Sequence, residues 1–500
     1  MTRIMILFGA LIGLVGVGCG DNPGGGGMDG GTPDLTEPTG PPIEIACADT
    51  IDSIYADPGT LPADKGAIIR CAKDKYLSAS QLNTMLLADV PFTARAVTNG
   101  SHAYRVLYRT ERGTVPPTAG YSSALVLLPD TPRATKLPVV VASHGSRGQC
   151  PTCAASKEDP FDVGVNPDFE RQVYTLVGYG YAVMVPDLAG YANYGATGNP
   201  PSAYDSADDV GKSTLDGARA LRKLIPSLLT DKVVLVGHSQ GGFTALSAAA
   251  LFDSYGADGT LAAVATYAPT WITQRSYGAI TALPGAFPFM GSEGANAISI
   301  WYHYTHGELL DGPGHGGDVF LPAKRAAIKD FVDNAGWYSG TPPWATLYAL
   351  GSTATDIYDP SFTNAIGQYA AGFAADCPTD STGPLCQTWK ARYLADRPHL
   401  TATEAMVPNL LLWGDTDTSV PPERITCAID RLKGDGVALT VCVAPGVDHG
   451  GVVGAKADYV GDWIAAQTLG ATMPAACAQN ETSIMSSGML ATCATIPPND

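Results

Sequence analysis

One stretch constrains the fold more than any other: Lys232-Val233-Val234-Leu235-Val236-Gly237-His238-Ser239-Gln240-Gly241-Gly242. A β-branched apolar run meets a glycine, and a helix-like segment, Phe243-Thr244-Ala245-Leu246-Ser247-Ala248-Ala249-Ala250, follows the glycine pair Gly241-Gly242. That order predicts strand, sharp turn and helix with Ser239 at the apex. Such a turn forces its apex residue into a strained backbone conformation and leaves no room for bulky neighbours, which accounts for the Gly-x-Ser-x-Gly spacing. A serine in an ordinary Gly-rich turn is the structural alternative, and partners elsewhere in the chain decide between the two.

The flanks read as strands and helices in alternation. Segments 103–110 and 121–128 are β-like and split by Gly113 and Pro116-Pro117, as in a hairpin. Leu137-Pro138-Val139-Val140-Val141-Ala142-Ser143 is a buried strand leading into His144-Gly145-Ser146-Arg147-Gly148. A helix is predicted over 169–178, a strand over 181–185 ending at Pro186-Asp187, a helix over 213–224, and a strand over 261–267. Residues 51–90 carry mixed signals, with a short helix at 78–87. Nearly continuous apolar strands separated by helices imply a mostly parallel sheet with helices on both faces.

Between 271 and 405 the alternation stops. Five of the seven tryptophans, Trp271, Trp301, Trp337, Trp344 and Trp389, fall here with many tyrosines, and 322–332 and 360–375 look helical. We read this as a large, mainly helical cap inserted after the sixth core strand. Its aromatics form the cap's own core in the main, with a few lining an apolar pocket. The core resumes with a strand at 407–413, a last strand at 437–443 and a helix at 455–469. The chain thus divides into a signal segment (1–19), a Gly/Pro linker (20–45), a first core part (46–270), the insertion (271–405), a second core part (406–475) and a tail (476–500).

The N-terminus and the cysteines point outside the cytoplasm. Arg3 precedes a short apolar run, 4–17, and Gly16-Val17-Gly18-Cys19 is followed by a flexible linker. Small residues before a cysteine resemble a bacterial lipoprotein signal, which implies lipidation of Cys19 and membrane attachment through it; simple secretion is the alternative. Setting Cys19 aside leaves ten cysteines, and neighbour pairing would join Cys47 to Cys71, Cys150 to Cys153, Cys377 to Cys386, Cys427 to Cys442 and Cys477 to Cys493. Spacing alone leaves that connectivity open. Cys150-Pro151-Thr152-Cys153 is expected to be a local structural disulfide, since no second CxxC completes a zinc site. The net charge of −18 carries no basic footprint, so no nucleic-acid partner is expected.

A serine hydroxyl needs a base to take its proton, and the base needs an orienting carboxylate. In a parallel sheet these belong at the carboxyl ends of strands. Three strand ends supply them in chain order: Ser239, then Asp417 in Gly414-Asp415-Thr416-Asp417, then His449 in Asp448-His449-Gly450. Asp415 competes with Asp417, although the Gly-x-x-Asp spacing favours Asp417. Asp448 is read as a loop carboxylate, His238 as packing under the elbow, and His144 as a structural hydrogen-bonding residue. His303, His306, His315, Asp311 and Asp318 are too irregularly spaced for a metal site, and the chemistry itself needs neither metal nor organic cofactor.

These motifs carry a resemblance. His144-Gly145, Pro186-Asp187, Gly237-His238-Ser239-Gln240-Gly241, Gly414-x-x-Asp417-x-x-Val420-Pro421 and Asp448-His449-Gly450 together resemble an α/β-hydrolase over about 104–272 and 405–470. Within that superfamily the chain is similar to secretory-lipase-like extracellular esterases and lipases. The resemblance implies that Ser239 attacks, His449 is general base and Asp417 orients it. It further implies an oxyanion hole made by the N–H of Gln240 and the N–H of Ser146 or Gly145. The function expected is a secreted or lipid-anchored serine hydrolase acting on small-molecule or lipid carboxylic esters through an acyl-enzyme. A prolyl-peptidase-like hydrolase is the alternative on the same fold, although little room precedes the first strand for a gating domain. A non-catalytic surface lipoprotein that binds a ligand through the cap is the third reading.

Overall fold

The computed structural model describes residues 37–88, 94–159, 167–192, 199–270, 276–279, 293–337, 342–371 and 374–480. The signal segment with Cys19, and Cys493 in the tail, lie outside these residues. Nine strands form one sheet: β1 (Ile68–Leu77), β2 (Ser101–Arg112), β3 (Thr118–Pro129), β4 (Leu137–Ser143), β5 (Val183–Pro186), β6 (Leu229–His238), β7 (Thr260–Tyr267), β8 (Asn409–Gly414) and β9 (Leu439–Ala444). Their spatial order is β1-β2-β3-β5-β4-β6-β7-β8-β9. The first three strands pair antiparallel with their neighbours, and every pairing from β5 to β9 is parallel.

The parallel strands are apolar on both faces because both faces are covered. All seven residues of β4 are buried, as are Val233 to Val236 of β6 and Leu410 to Leu412 of β8. The helices Ala207–Leu224 and Gln240–Ala250 pack against each other, while Pro167–Gly178 pairs with Gly451–Leu469. Chain direction places the site. From β4 the chain crosses to β5 on one side, whereas from β6 it crosses to β7 on the other. The carboxyl ends of β4 and β6 therefore flank a topological switch point, where open α/β sheets leave a crevice.

β1 went unread in the sequence. Its centre, Lys73-Asp74-Lys75, is charged, and its burial pattern is mixed. Those are the marks of an edge strand kept from pairing with another chain. The insertion consequently follows the seventh strand of the sheet, β7, which is the sixth of those recognised from sequence.

Between β7 and β8 the described elements are helices, among them Glu293–His306, Arg325–Asn334, Pro360–Ala370 and Gly383–Ala395. They share a hydrophobic core of their own, in which Trp301, Tyr302, Tyr358, Phe362, Trp389 and Tyr393 are buried together with Tyr204. Trp301 stands edge-on to Trp337 at 4.8 Å, and His303 lies among Phe362, Trp389 and Tyr393. Among the described residues most of the aromatic excess in this stretch is thus core packing, while Trp271 lies outside them.

Disulfides join Cys47 to Cys71, Cys150 to Cys153 and Cys377 to Cys386, as neighbour pairing has it. The last part departs from that scheme: Cys442 bonds Cys477 rather than Cys427, which leaves no place for a Cys477 bond to Cys493. The reason is the second sheet edge. Gln479 accepts a hydrogen bond from Val443 N–H, so the tail runs along β9 and brings Cys477 within 5.5 Å (Cα to Cα) of Cys442. Cys427, on the helix Pro422–Gly434, is disulfide-bonded as well.

Candidate active site

Ser239 sits between β6 and the helix Gln240–Ala250 with φ 55° and ψ −121°, a region a β-carbon disfavours. The backbone is pinned there. Ser239 N–H donates to Tyr267 O at 2.9 Å, and Ser239 O accepts from Gly242 N at 2.9 Å, Phe243 N at 3.2 Å and Thr270 N at 3.1 Å. The glycines of the motif are required by close approach. A β-carbon on Gly237 would lie 1.9 Å from Gly241 O, and one on Gly241 would lie 2.0 Å from Ser143 O. Gln240 is the first helical residue, so its N–H has no carbonyl one turn back and stands at the positive end of the helix dipole.

Asp417 and His449 meet from the ends of β8 and β9. His449 Nδ1 lies 2.8 Å from Asp417 Oδ2, and that carboxylate is fully buried. The other oxygen, Asp417 Oδ1, accepts from Ser419 N and Val420 N, both at 2.8 Å. A neutral ring that donates from Nδ1 keeps its lone pair on Nε2, the tautomer a general base needs. Asp415 is occupied elsewhere, accepting from Gly446 N at 2.6 Å, and Asp448 accepts from Gly451 N at 2.8 Å.

The histidine beside the serine does more than fill space. His238 Nε2 donates to the carbonyl of His449 at 2.9 Å, and the two rings lie 4.6 Å apart. The residue preceding the apex thereby supports the backbone of the candidate base. No spacing rule connects 238 with 449, so sequence reasoning had no signal for this contact.

The loop after β4 closes the other side. A β-carbon on Gly145 would stand 3.5 Å from that of Ser239, which places this backbone against the apex. His144 is buried, with Nδ1 2.8 Å from Gly145 O and its ring edge-on to Tyr191. Burial first, then the Arg147 charge, lowers its pKa to about 4, so it is neutral at pH 7. Asp187 is likewise structural, accepting from Ser123 Oγ at 2.6 Å and Ser156 N at 2.7 Å.

The histidines between β7 and β8 are dispersed. His303 bonds Ser299 O and Tyr393 within the aromatic core, His306 pairs with Asp396 at 2.7 Å, and His315 pairs with Asp318 on the surface at 2.7 Å. Among the described residues no group of three or more histidines, cysteines or carboxylates is placed to hold a metal ion.

One buried acid was not anticipated. Asp205, at φ 50°, is fully buried; Oδ2 accepts from Thr270 Oγ1 at 3.2 Å and from the Tyr277 hydroxyl. Oδ1 has no partner. Burial outweighs these two bonds and raises the carboxyl pKa to about 8. In the unfolded chain the group ionises near 3.9, so between about pH 4 and 8 the folded state alone holds the proton. Its contribution to stability therefore falls as pH rises across that window and is constant above it. Asp205→Asn, which keeps an acceptor and tolerates positive φ, is expected to melt above wild type at pH 8 by at least about 2–4 °C, the shift that about 1 kcal/mol gives in a large domain. The gap should close towards pH 4, and melting curves that run parallel across that range would refute the assignment.

The sequence matches the model of the alpha/beta hydrolase family over residues 140–461. Curated proteins yield no sequence match. Among solved structures, the lpg1103 protein of Legionella pneumophila is 18% identical with a TM-score of 0.61, covering 80% of this chain and 99% of its own. The rice cell wall degrading esterase LipA of Xanthomonas oryzae is 17% identical with a TM-score of 0.56, over 80% of this chain and 95% of its own. Candida antarctica lipase A is 16% identical with a TM-score of 0.56, over 87% and 93%. At such identities the likeness speaks for the fold. The family match spans well over half of the residues, from β4 through the elbow to the closing helix, and the chain belongs to the alpha/beta hydrolase family.

Proposed function

We propose that this protein is an extracytoplasmic serine hydrolase that cleaves carboxylic esters through an acyl-enzyme. The observation that carries the reading is the His449–Asp417 bond at 2.8 Å, held at neighbouring strand ends beside a strained serine. In this mechanism Ser239 Oγ attacks the ester carbonyl while His449 Nε2 takes its proton. Asp417 keeps Nδ1 protonated and offsets the charge that forms on the ring. The N–H groups of Gln240 and of Ser146 or Gly145 receive the developing oxyanion. His449 then returns the proton to the leaving alcohol, and water repeats the sequence on the acyl-enzyme.

Esters are favoured over amides on two grounds. The insertion, 271–405, is rich in aromatic residues and acts in this reading as a cap that offers an apolar acyl or aryl pocket. Two structural neighbours are an esterase and a lipase by name. Purified protein is expected to turn over a p-nitrophenyl ester series, with a preference along acyl length, and to leave a matched peptide-amide series essentially uncleaved. Amide cleavage without ester preference would overturn the substrate assignment.

The disulfides support an oxidising compartment. We assign the chain to the cell envelope through a lipidated Cys19. Mass spectrometry of the mature protein should find a diacylglycerol-modified Cys19 as its first residue. An unmodified start downstream of Cys19 would replace the anchor with simple secretion.

A further inference from the structure

The dipeptide Tyr204-Asp205 belongs to no motif, yet it is bonded to both halves of the site. Ser146 is the third residue of the loop after β4, and its Oγ lies 2.7 Å from the Tyr204 hydroxyl. Tyr204 is fully buried, its N–H donates to Thr305 Oγ1 at 3.0 Å, and its ring lies 6.1 Å from both Tyr277 and Trp301 of the insertion. Burial, reinforced by the Asp205 carboxyl, holds the phenol's ionisation well above its ordinary range, so the hydroxyl stays neutral. One residue on, Asp205 holds Thr270, whose own N–H donates to Ser239 O at 3.1 Å. The insertion also reaches the loop directly, through Trp337 N–H to Arg147 O at 2.9 Å.

We infer that Tyr204 is a positioning residue for the oxyanion loop: its hydroxyl fixes the Ser146 side chain and with it the N–H groups of Gly145 and Ser146 relative to Ser239. The inference rests on the serine-hydrolase reading above. Oxyanion stabilisation depends on donors placed before the charge appears. A displacement of about 1 Å costs about 10²-fold, comparable to the loss of a whole donor at about 10²–10³. Ser146 is only half buried, whereas its partner is locked in an aromatic core, so the constraint runs from Tyr204 to the loop. The position of the donor thereby depends on the packing of the insertion.

The test is the rate at which a fluorophosphonate labels Ser239, read by intact mass. Ser239 Oγ forms the P–O bond, fluoride leaves with the P–F electron pair, and the serine proton passes to His449. The phosphoryl oxygen takes the oxyanion position, so the rate reports on the loop whichever acyl substrate the enzyme prefers. Tyr204→Phe keeps the ring and removes only the hydroxyl. Its labelling rate constant is expected to fall about 10- to 100-fold, Ser146→Ala to fall similarly, and the double variant to be no slower than the slower single. In ester turnover the loss should fall on kcat, with KM held within about threefold. Should Tyr204→Phe fail to fold, Ser146→Ala reads the same bond from the solvent side. Labelling at the wild-type rate, or losses that multiply in the double variant, would overturn the inference and leave the serine-hydrolase reading standing. A wild-type Ser239 that takes no label would remove both.

Discussion

Ser239→Ala is expected to lower kcat/KM for esters by about 10⁶-fold while the protein remains folded. The size follows from the chemistry: without Oγ there is no acyl-enzyme, and only binding and the oxyanion donors remain to assist water. The fold should survive because the bonds that pin residue 239 are made by its backbone, through Tyr267 O, Gly242 N, Phe243 N and Thr270 N. Alanine presents the same β-carbon at the same positive φ, so the strain is unaltered. His449→Ala should cost a similar factor, and the double variant little more than either single, because the two groups act as a unit. Initial rates on the best ester of the panel, with thermal melting as the control, check both statements. An alanine variant retaining a tenth of wild-type activity would exclude Ser239 as the nucleophile.

The sequence disclosed those parts whose geometry is local. The elbow was legible because a strand, a glycine pair and a helix lie within about twenty residues, and the near-contacts at Gly237 and Gly241 admit little else. Strands β4, β6 and β8 were legible because burial on both faces demands continuous apolar runs. β1 was not, since three successive charged residues, Lys73-Asp74-Lys75, interrupt its apolar residues as they would in a loop. The contacts that couple distant segments were also invisible. His238 to His449 O, Ser146 to Tyr204 and Cys442 to Cys477 each join residues whose proximity comes from strand order and tail path, neither of which has a residue pattern. The insertion was recognised by its composition, but composition could not separate core aromatics from lining ones. The structure adds that Trp301 and Trp389 are buried in the hydrophobic core of the insertion.

Asp417→Asn should lower kcat by about 10⁴-fold with little change in KM, whereas Asp415→Asn should leave both within about threefold. The two aspartates lie two residues apart, so the contrast tests geometry rather than local charge. Asp417 Oδ1 accepts from two backbone donors, Ser419 N and Val420 N, both at 2.8 Å. An asparagine must put its carbonyl oxygen in that position, since an NH₂ group there would face two donors. Its NH₂ then faces His449 Nδ1 in place of Oδ2. A ring opposed by a donor presents its lone pair at Nδ1 and carries the proton on Nε2, the tautomer that cannot accept the serine proton. The fold is preserved and the base is lost. Asparagine at 415 instead keeps an acceptor for Gly446 N–H. Steady-state kinetics on the two variants decide the matter. A large kcat loss at 415 with near-normal turnover at 417 would transfer the orienting role to Asp415 and with it the reading of the loop after β8.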